Sequence, residues 1–239
     1  MADNPKTRFR RTDAIRGPRT VFTGHIAGFG TDAGVRIVIG SWLESPFGCF
    51  ADVMLETPDG ERVLLAPSTE VADFVSATYR FDRIEVGAVS ARRLSDGLTV
   101  AAPGLDVSIA LGGPAPLDWL LRVVPGRLAT APLWLRAIDP VAARILPGVH
   151  TAGTAGNGRR EYYGVRRSRR ITASTGHFRG VDLGHLQPLH PPVNFGFASA
   201  PATPQMVSVT TTIDLPGELP GVTGWRKGDT GMFCDKSPW

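Results

Sequence analysis

Lysine is almost absent from this chain: of its 26 basic residues only Lys6, Lys227 and Lys236 are lysines, and all three lie in the flanks. The presumptive core therefore offers no amine for Schiff-base chemistry. Cysteine is as scarce. Cys49 and Cys234 are far apart and in no C-x-x-C spacing, which argues against a disulfide framework and a cysteine-built zinc site and makes a reducing compartment the simpler expectation. No apolar stretch follows the charged N-terminus, so no secretory signal is visible. The longest apolar stretch, residues 117 to 138, is broken by Asp118, Arg122, Arg127, Arg136 and two prolines and cannot span a bilayer unaided. Also missing are G-x-S-x-G, G-x-G-x-x-G and H-E-x-x-H, which disfavours a hydrolase elbow, a dinucleotide fold and a helical zinc site. These absences predict a cytoplasmic protein without a cofactor or a transmembrane segment, and leave open a peripheral membrane contact.

What is present is enough to fold. The chain has 239 residues, 42% of them hydrophobic, which suffices for one large β-rich domain. The net charge of +4 is unevenly spread. Residues 1 to 20 and 159 to 180 are strongly basic, and the remainder is acidic on balance.

Local patterns predict mainly strands. Val21 to Phe29 and Val35 to Trp42 are rich in β-branched and aromatic residues and flank the turn-forming Gly30 to Gly34, as in a hairpin. A second hairpin joins Phe50 to Thr57 and Glu61 to Ala66 through Pro58-Asp59-Gly60, where proline presets the turn and glycine takes the left-handed position. A short helix follows Pro67, capped by Ser68 or Thr69, with Val71, Phe74 and Val75 on one face. Strands resume at Arg80 to Val89, Gly97 to Ala101 and Leu105 to Leu111, completing a meander. Between residues 114 and 147 prolines recur at intervals of seven to nine, predicting short helices, among them 117–124 and one opened by Asp139-Pro140. Beyond the Gly-rich loop 151–158, strands are expected at Arg160 to Val165, Arg169 to Ala173 and Met206 to Leu215, with 176–192 irregular. The predicted fold is mainly β (α+β): an antiparallel β-barrel or strongly curved sheet with helices inserted at about 114–147. Residues 1–19 are expected to form a flexible basic arm, 20–215 a single domain, and 216–239 a disordered tail.

Chemistry concentrates in the segment 176–197, which holds three of the five histidines. His177 or His185 with Asp182 could act as a general acid/base, since histidine titrates near neutrality and a carboxylate fixes its tautomer. His177, His185 and His190 are the candidate metal ligands, although spacings of eight and five match no ligand motif. His25 and His177 sit in similar segments, Thr23 to Gly28 and Thr175 to Gly180, which a two-fold repeat would make equivalent and chance also explains. Arg159 to Arg170 interleaves arginine with Tyr162 and Tyr163. Such a run could grip phosphates or bases, but a solvated edge strand explains it as well, and nucleic acid is not the favoured partner. Asp52 and Glu56 share a strand face as a candidate carboxylate pair, for which an exposed polar face is the plainer account.

Gly40-Ser41-Trp42 matches the G-x-W found near the first strand of lipocalins, yet it ends a strand instead of opening a barrel. A β-barrel resembling acetoacetate decarboxylase would suit the architecture and fails on the missing interior lysine. Neither family is claimed. The favoured reading is a small-molecule-binding barrel holding an apolar or amphipathic, acidic ligand beneath the helices and the histidine loop. Its candidate contacts are Trp119, Trp134, Tyr162, Tyr163, Arg179 and His25. The rivals are an enzyme using the same cavity for histidine acid/base chemistry, as a hydrolase, lyase or isomerase, and an interaction module binding a phosphorylated partner or nucleic acid through the arginine-rich strand.

Overall fold

A computed structural model describes residues 19–116, 118–145, 151–154, 158–196 and 200–215. The expected arm, apart from Arg19, and the expected tail lie outside them. Arg19 itself opens a strand and pairs with Asp214 at 2.7 Å.

Both predicted hairpins form. β1 (Arg19–Thr31) pairs antiparallel with β2 (Arg36–Glu44), and β3 (Phe50–Glu56) with β4 (Arg62–Ala66). Gly60 closes the second turn at φ +86°, a conformation that favours glycine. The helix α1 (Thr69–Ser76) is capped by Ser68, whose hydroxyl accepts from the Val71 amide, and buries Val71, Phe74 and Val75. Because α1 carries the chain back across the sheet, β5 (Arg83–Val86) lies parallel to β4, where a continued meander predicts an antiparallel strand.

The sequence patterns did not predict β6 (Ser90–Leu94), an arginine-bearing edge strand, next to β7 (Gly97–Ala102) and β8 (Leu105–Pro114). The helices are α2 (Asp118–Val123), α3 (Gly126–Ala129) and α4 (Pro132–Ile145). α4 runs through Pro140 instead of starting there. Asp139 is not its cap but accepts from the Thr151 and Ala152 amides. After β9 (Ala152–Thr154) comes β10 (Arg160–Phe178), one long strand where two were expected. The short β11 (Val181–Asp182) and β12 (Leu186–Gln187) precede β13 (Gln205–Asp214).

The main path through the sheet runs β5-β4-β3-β2-β1-β13-β10-β8-β7-β6. It curls into an open half-barrel, so that Val53 and Leu65 from one half join Val100 and Val107 from the other in a single core with Phe29, Ile37 and Ile39. Each such large side chain taken from water contributes on the order of 1.5–3 kcal/mol. That packed core occupies the inside of the curl, where the sequence reading placed a ligand.

β10 is not an edge strand, since it lies between β13 and β8. Its charge is accommodated by bulges near Arg167 and Arg169 that break the two-residue alternation. Arg166 and Arg167 are both exposed while Ser168 is buried. Arg169 bonds the carbonyls of Gly112 and Leu111. The cysteine expectation also needs correction: Cys49 is disulfide-bonded. Separation along the chain says nothing about separation in space.

Candidate functional site

The strand residues that face away from the shared core line a cavity. Phe22 and Ile26 of β1, Val38, Gly40 and Trp42 of β2, Phe50, Asp52 and Met54 of β3, Glu161 and Tyr163 of β10, and Thr211 and Ile213 of β13 form its floor. The cover is Phe74, Val75, Thr78 and Tyr79 from α1 and the turn after it, together with Phe195 and Ala200. The rings interlock, with Phe22 edge-on to Trp42 at 5.5 Å and Phe74 5.3 Å from Phe22. The cavity leaves about 90 Å³ for the centres of water-sized atoms, whereas one water needs about 10–15 Å³ on that scale.

Two carboxyls stand in this apolar enclosure. Asp52 is 4% exposed and accepts from Trp42 Nε1 at 2.9 Å; burial pushes it up to about 7 despite that bond. Glu161 is fully buried, and burial lifts it likewise to about 7 against the bonds from Tyr163 and Tyr79. The Glu161 Oε2, Tyr79 Oη and Tyr163 Oη atoms form a triangle with sides of 2.9, 2.8 and 2.6 Å. Two phenol protons cannot serve three contacts. The third proton belongs on Glu161, so geometry and desolvation agree on a neutral carboxyl. Burial raises both phenols well above their usual range and keeps them protonated. Glu161 Oε1 and Thr211 Oγ1 have no hydrogen-bond partner among the described residues, a costly state for buried polar atoms.

Gly40 makes the Asp52 contact possible. A Cβ built on it would strike Asp52 Oδ1 and Trp42 Nε1. Gly40→Ala is therefore expected to break the Trp42–Asp52 bond and cost about 1–3 kcal/mol, read as a lowered thermal midpoint with shifted indole emission; an unchanged midpoint would refute this packing.

Of the candidate contacts read from the sequence, Tyr163 lines this cavity. Tyr162, the adjacent residue, points to the opposite face of the strand and borders a shallow depression with Arg160, Arg136 and Asp139. α3 packs on that same face, where Gly164 meets Ala129 and Thr130. The helices thus do not cover the cavity: Trp119 is 70% exposed, and Trp134 on α4 is half-buried outside the lining. Arg179 bridges Glu61 and Glu85 at the surface. His25 faces the inner core, where burial and then the Arg93 charge depress it to about 4.

The histidine and aspartate candidates do not assemble as one group. His177 is exposed and lies across from Asp182 in the β10–β11 pairing. Asp182 accepts from the Gly184 amide. His185 pairs instead with Asp32, Nδ1 to Oδ2 at 2.8 Å, and its side chain is 93% exposed. His190 is exposed before a cis peptide to Pro191. Among the described residues no cluster of three potential metal ligands occurs, and no helix is long and apolar enough to cross a membrane. The segment does reach the cavity, but through Phe195, with Leu189 and Val193 packed beside it.

Of the two cavity acids, Asp52 was read with Glu56 as an exposed polar face, and Glu161 had no role of its own in the sequence reading. Asp52 interrupts an otherwise apolar face, Phe50, Met54, and Glu161 is the lone acid among the seven arginines of 159–180. Neither pattern reveals burial. Glu56 is buried too, as an ion pair with Arg36 at 2.8 Å, so the exposed-face account fails for both carboxyls.

The fold and site define a curled, mostly antiparallel β sheet with an acid-bearing, aromatic cavity on one face. No family model matches the chain, and no curated protein matches its sequence. Among solved structures it is similar to acetoacetate decarboxylase from Legionella pneumophila subsp. pneumophila str. Philadelphia 1, with a TM-score of 0.38 and 9% identity over 84% of this chain and 86% of that one.

Proposed function

We propose that the protein binds a compact, largely apolar small molecule in this cavity, and that the molecule carries a hydrogen-bond donor and no negative charge. The observation that carries the reading is Glu161 Oε1, a buried acceptor without a partner among the described residues, in a cavity walled by aromatic and aliphatic side chains. A few placed polar groups in an apolar pocket are the usual form of a ligand site. The acidic ligand expected from the arginines of the helices is replaced by a non-anionic one, because the described residues of the lining include two acids and no basic side chain.

Matched probes test it. Benzyl alcohol is expected to raise the thermal midpoint in a saturable way and benzoate to leave it unchanged, and Ile26→Phe, which fills the cavity, should abolish the response. Stabilisation by benzoate equal to that by benzyl alcohol, or an Ile26→Phe protein that still responds, would overturn the assignment.

A further inference from the structure

We infer that the natural ligand of this cavity is a small organic ammonium ion, held by Glu161 Oε1 against aromatic walls and bound with release of the Glu161 proton. The inference rests on the cavity-binding reading and specifies its chemical class.

Three observations converge on it. The partnerless Glu161 Oε1 is buried and belongs to the lining. Phe22, Trp42, Phe50, Phe74, Tyr79 and Tyr163 surround the same space, and aromatic enclosures attract organic cations. Asp52 supplies a second carboxyl to the lining, and no lysine or arginine is among the described residues that line it.

The charged and titratable neighbours of Glu161 are few. Tyr79 and Tyr163 bond its Oε2, and Asp52 shares the cavity. From β13 come Thr211 and Ile213, which do not titrate. Arg159 acts on Glu161 through its charge. Its guanidinium is committed to the Phe74 carbonyl and the Thr78 hydroxyl and lies 4.6 Å from the Phe74 ring. None of these groups brings a cation to the cavity side of Glu161 Oε1. In the empty state Glu161 keeps its proton. An arriving ammonium favours the carboxylate, so one proton passes to solvent while the ammonium N–H donates to Oε1 and both phenols turn their protons to Oε2, giving up the hydrogen bond between them; charge balances, with one cation bound and one proton released.

Titration calorimetry with benzylammonium and benzyl alcohol, at pH 6 in two buffers of different ionisation enthalpy, tests this. Benzylammonium is expected to bind about tenfold more tightly than the alcohol and to release close to one proton. Glu161→Gln, nearly isosteric, should remove both the preference and the proton release while still binding the alcohol. Equal or tighter binding of the alcohol, or binding of the ammonium without proton release, overturns the ammonium assignment and leaves the cavity reading standing. Failure of both probes to bind at pH 6 and at pH 8 overturns the cavity reading itself.

Discussion

Between pH 5 and pH 8 the ligand-free protein is expected to lose about 3 kcal/mol of folding stability, measured by urea unfolding across that range. The loss originates in the two cavity acids. Folding raises Glu161 from 4.5 and Asp52 from 3.8 to about 7. Below 7 the folded chain therefore holds two protons that the unfolded chain has released, and stability drains away as pH climbs through that window. His25 works in the opposite sense. Its pKa falls from 6.5 to about 4 on folding, so the unfolded chain holds its proton and stability grows as pH rises to 6.5. Each proton of difference contributes about 1.4 kcal/mol per pH unit, and two acids outweigh one histidine. Asp82, held at about 2 mainly by its bond from Arg62, loses its contribution only at lower pH. In the double variant Asp52→Asn, Glu161→Gln the trend should reverse, with a gain of about 2 kcal/mol from His25 alone. A wild-type profile that rises by about 2 kcal/mol would mean that both carboxyls are ionised in the fold, and a nearly flat one that only one of them keeps its proton.

Arg36→Ala is expected to destabilise the protein by about 3–5 kcal/mol, because it strands Glu56 as an unpaired buried charge. The pair does more than neutralise itself. Arg36 Nη1 also donates to the Pro191 carbonyl at 3.1 Å, and Glu56 Oε2 accepts from the Asn194 amide at 2.9 Å. Both contacts hold the segment that ends in Phe195 over the cavity. Replacing the pair by Arg36→Met with Glu56→Leu should recover much of the stability, since no lone charge remains, yet release that segment. The check is urea unfolding combined with amide exchange at 193–196: recovered stability with faster exchange is expected, and unaltered exchange would show that the pair does not anchor the cover.

The sequence was most informative where structure is local. The Pro58-Asp59-Gly60 turn, the Ser68 cap and the apolar face of α1 appear where the residues place them, because each depends on neighbours within a few positions. Patterns failed where a distant partner decides. Asp52, Glu56 and Glu161 look like surface acids by composition, and only strand pairing puts Asp52 beneath Trp42, Glu56 beside Arg36 and Glu161 beside Tyr79, 82 residues earlier. The histidine segment misled because residue type suggested chemistry, whereas burial selected its apolar members.

Taken alone, the amino-acid order established a predominantly β protein with a helical insertion and lysines confined to the sequence flanks, since periodicity, turn residues and composition are properties of the chain itself. The tertiary structure decided which face of the sheet is packed and which encloses a cavity, and whether an acid is solvated or confined. Those outcomes follow from how a curled sheet brings remote strands together, and the free energy of a carboxyl depends on the water removed around it.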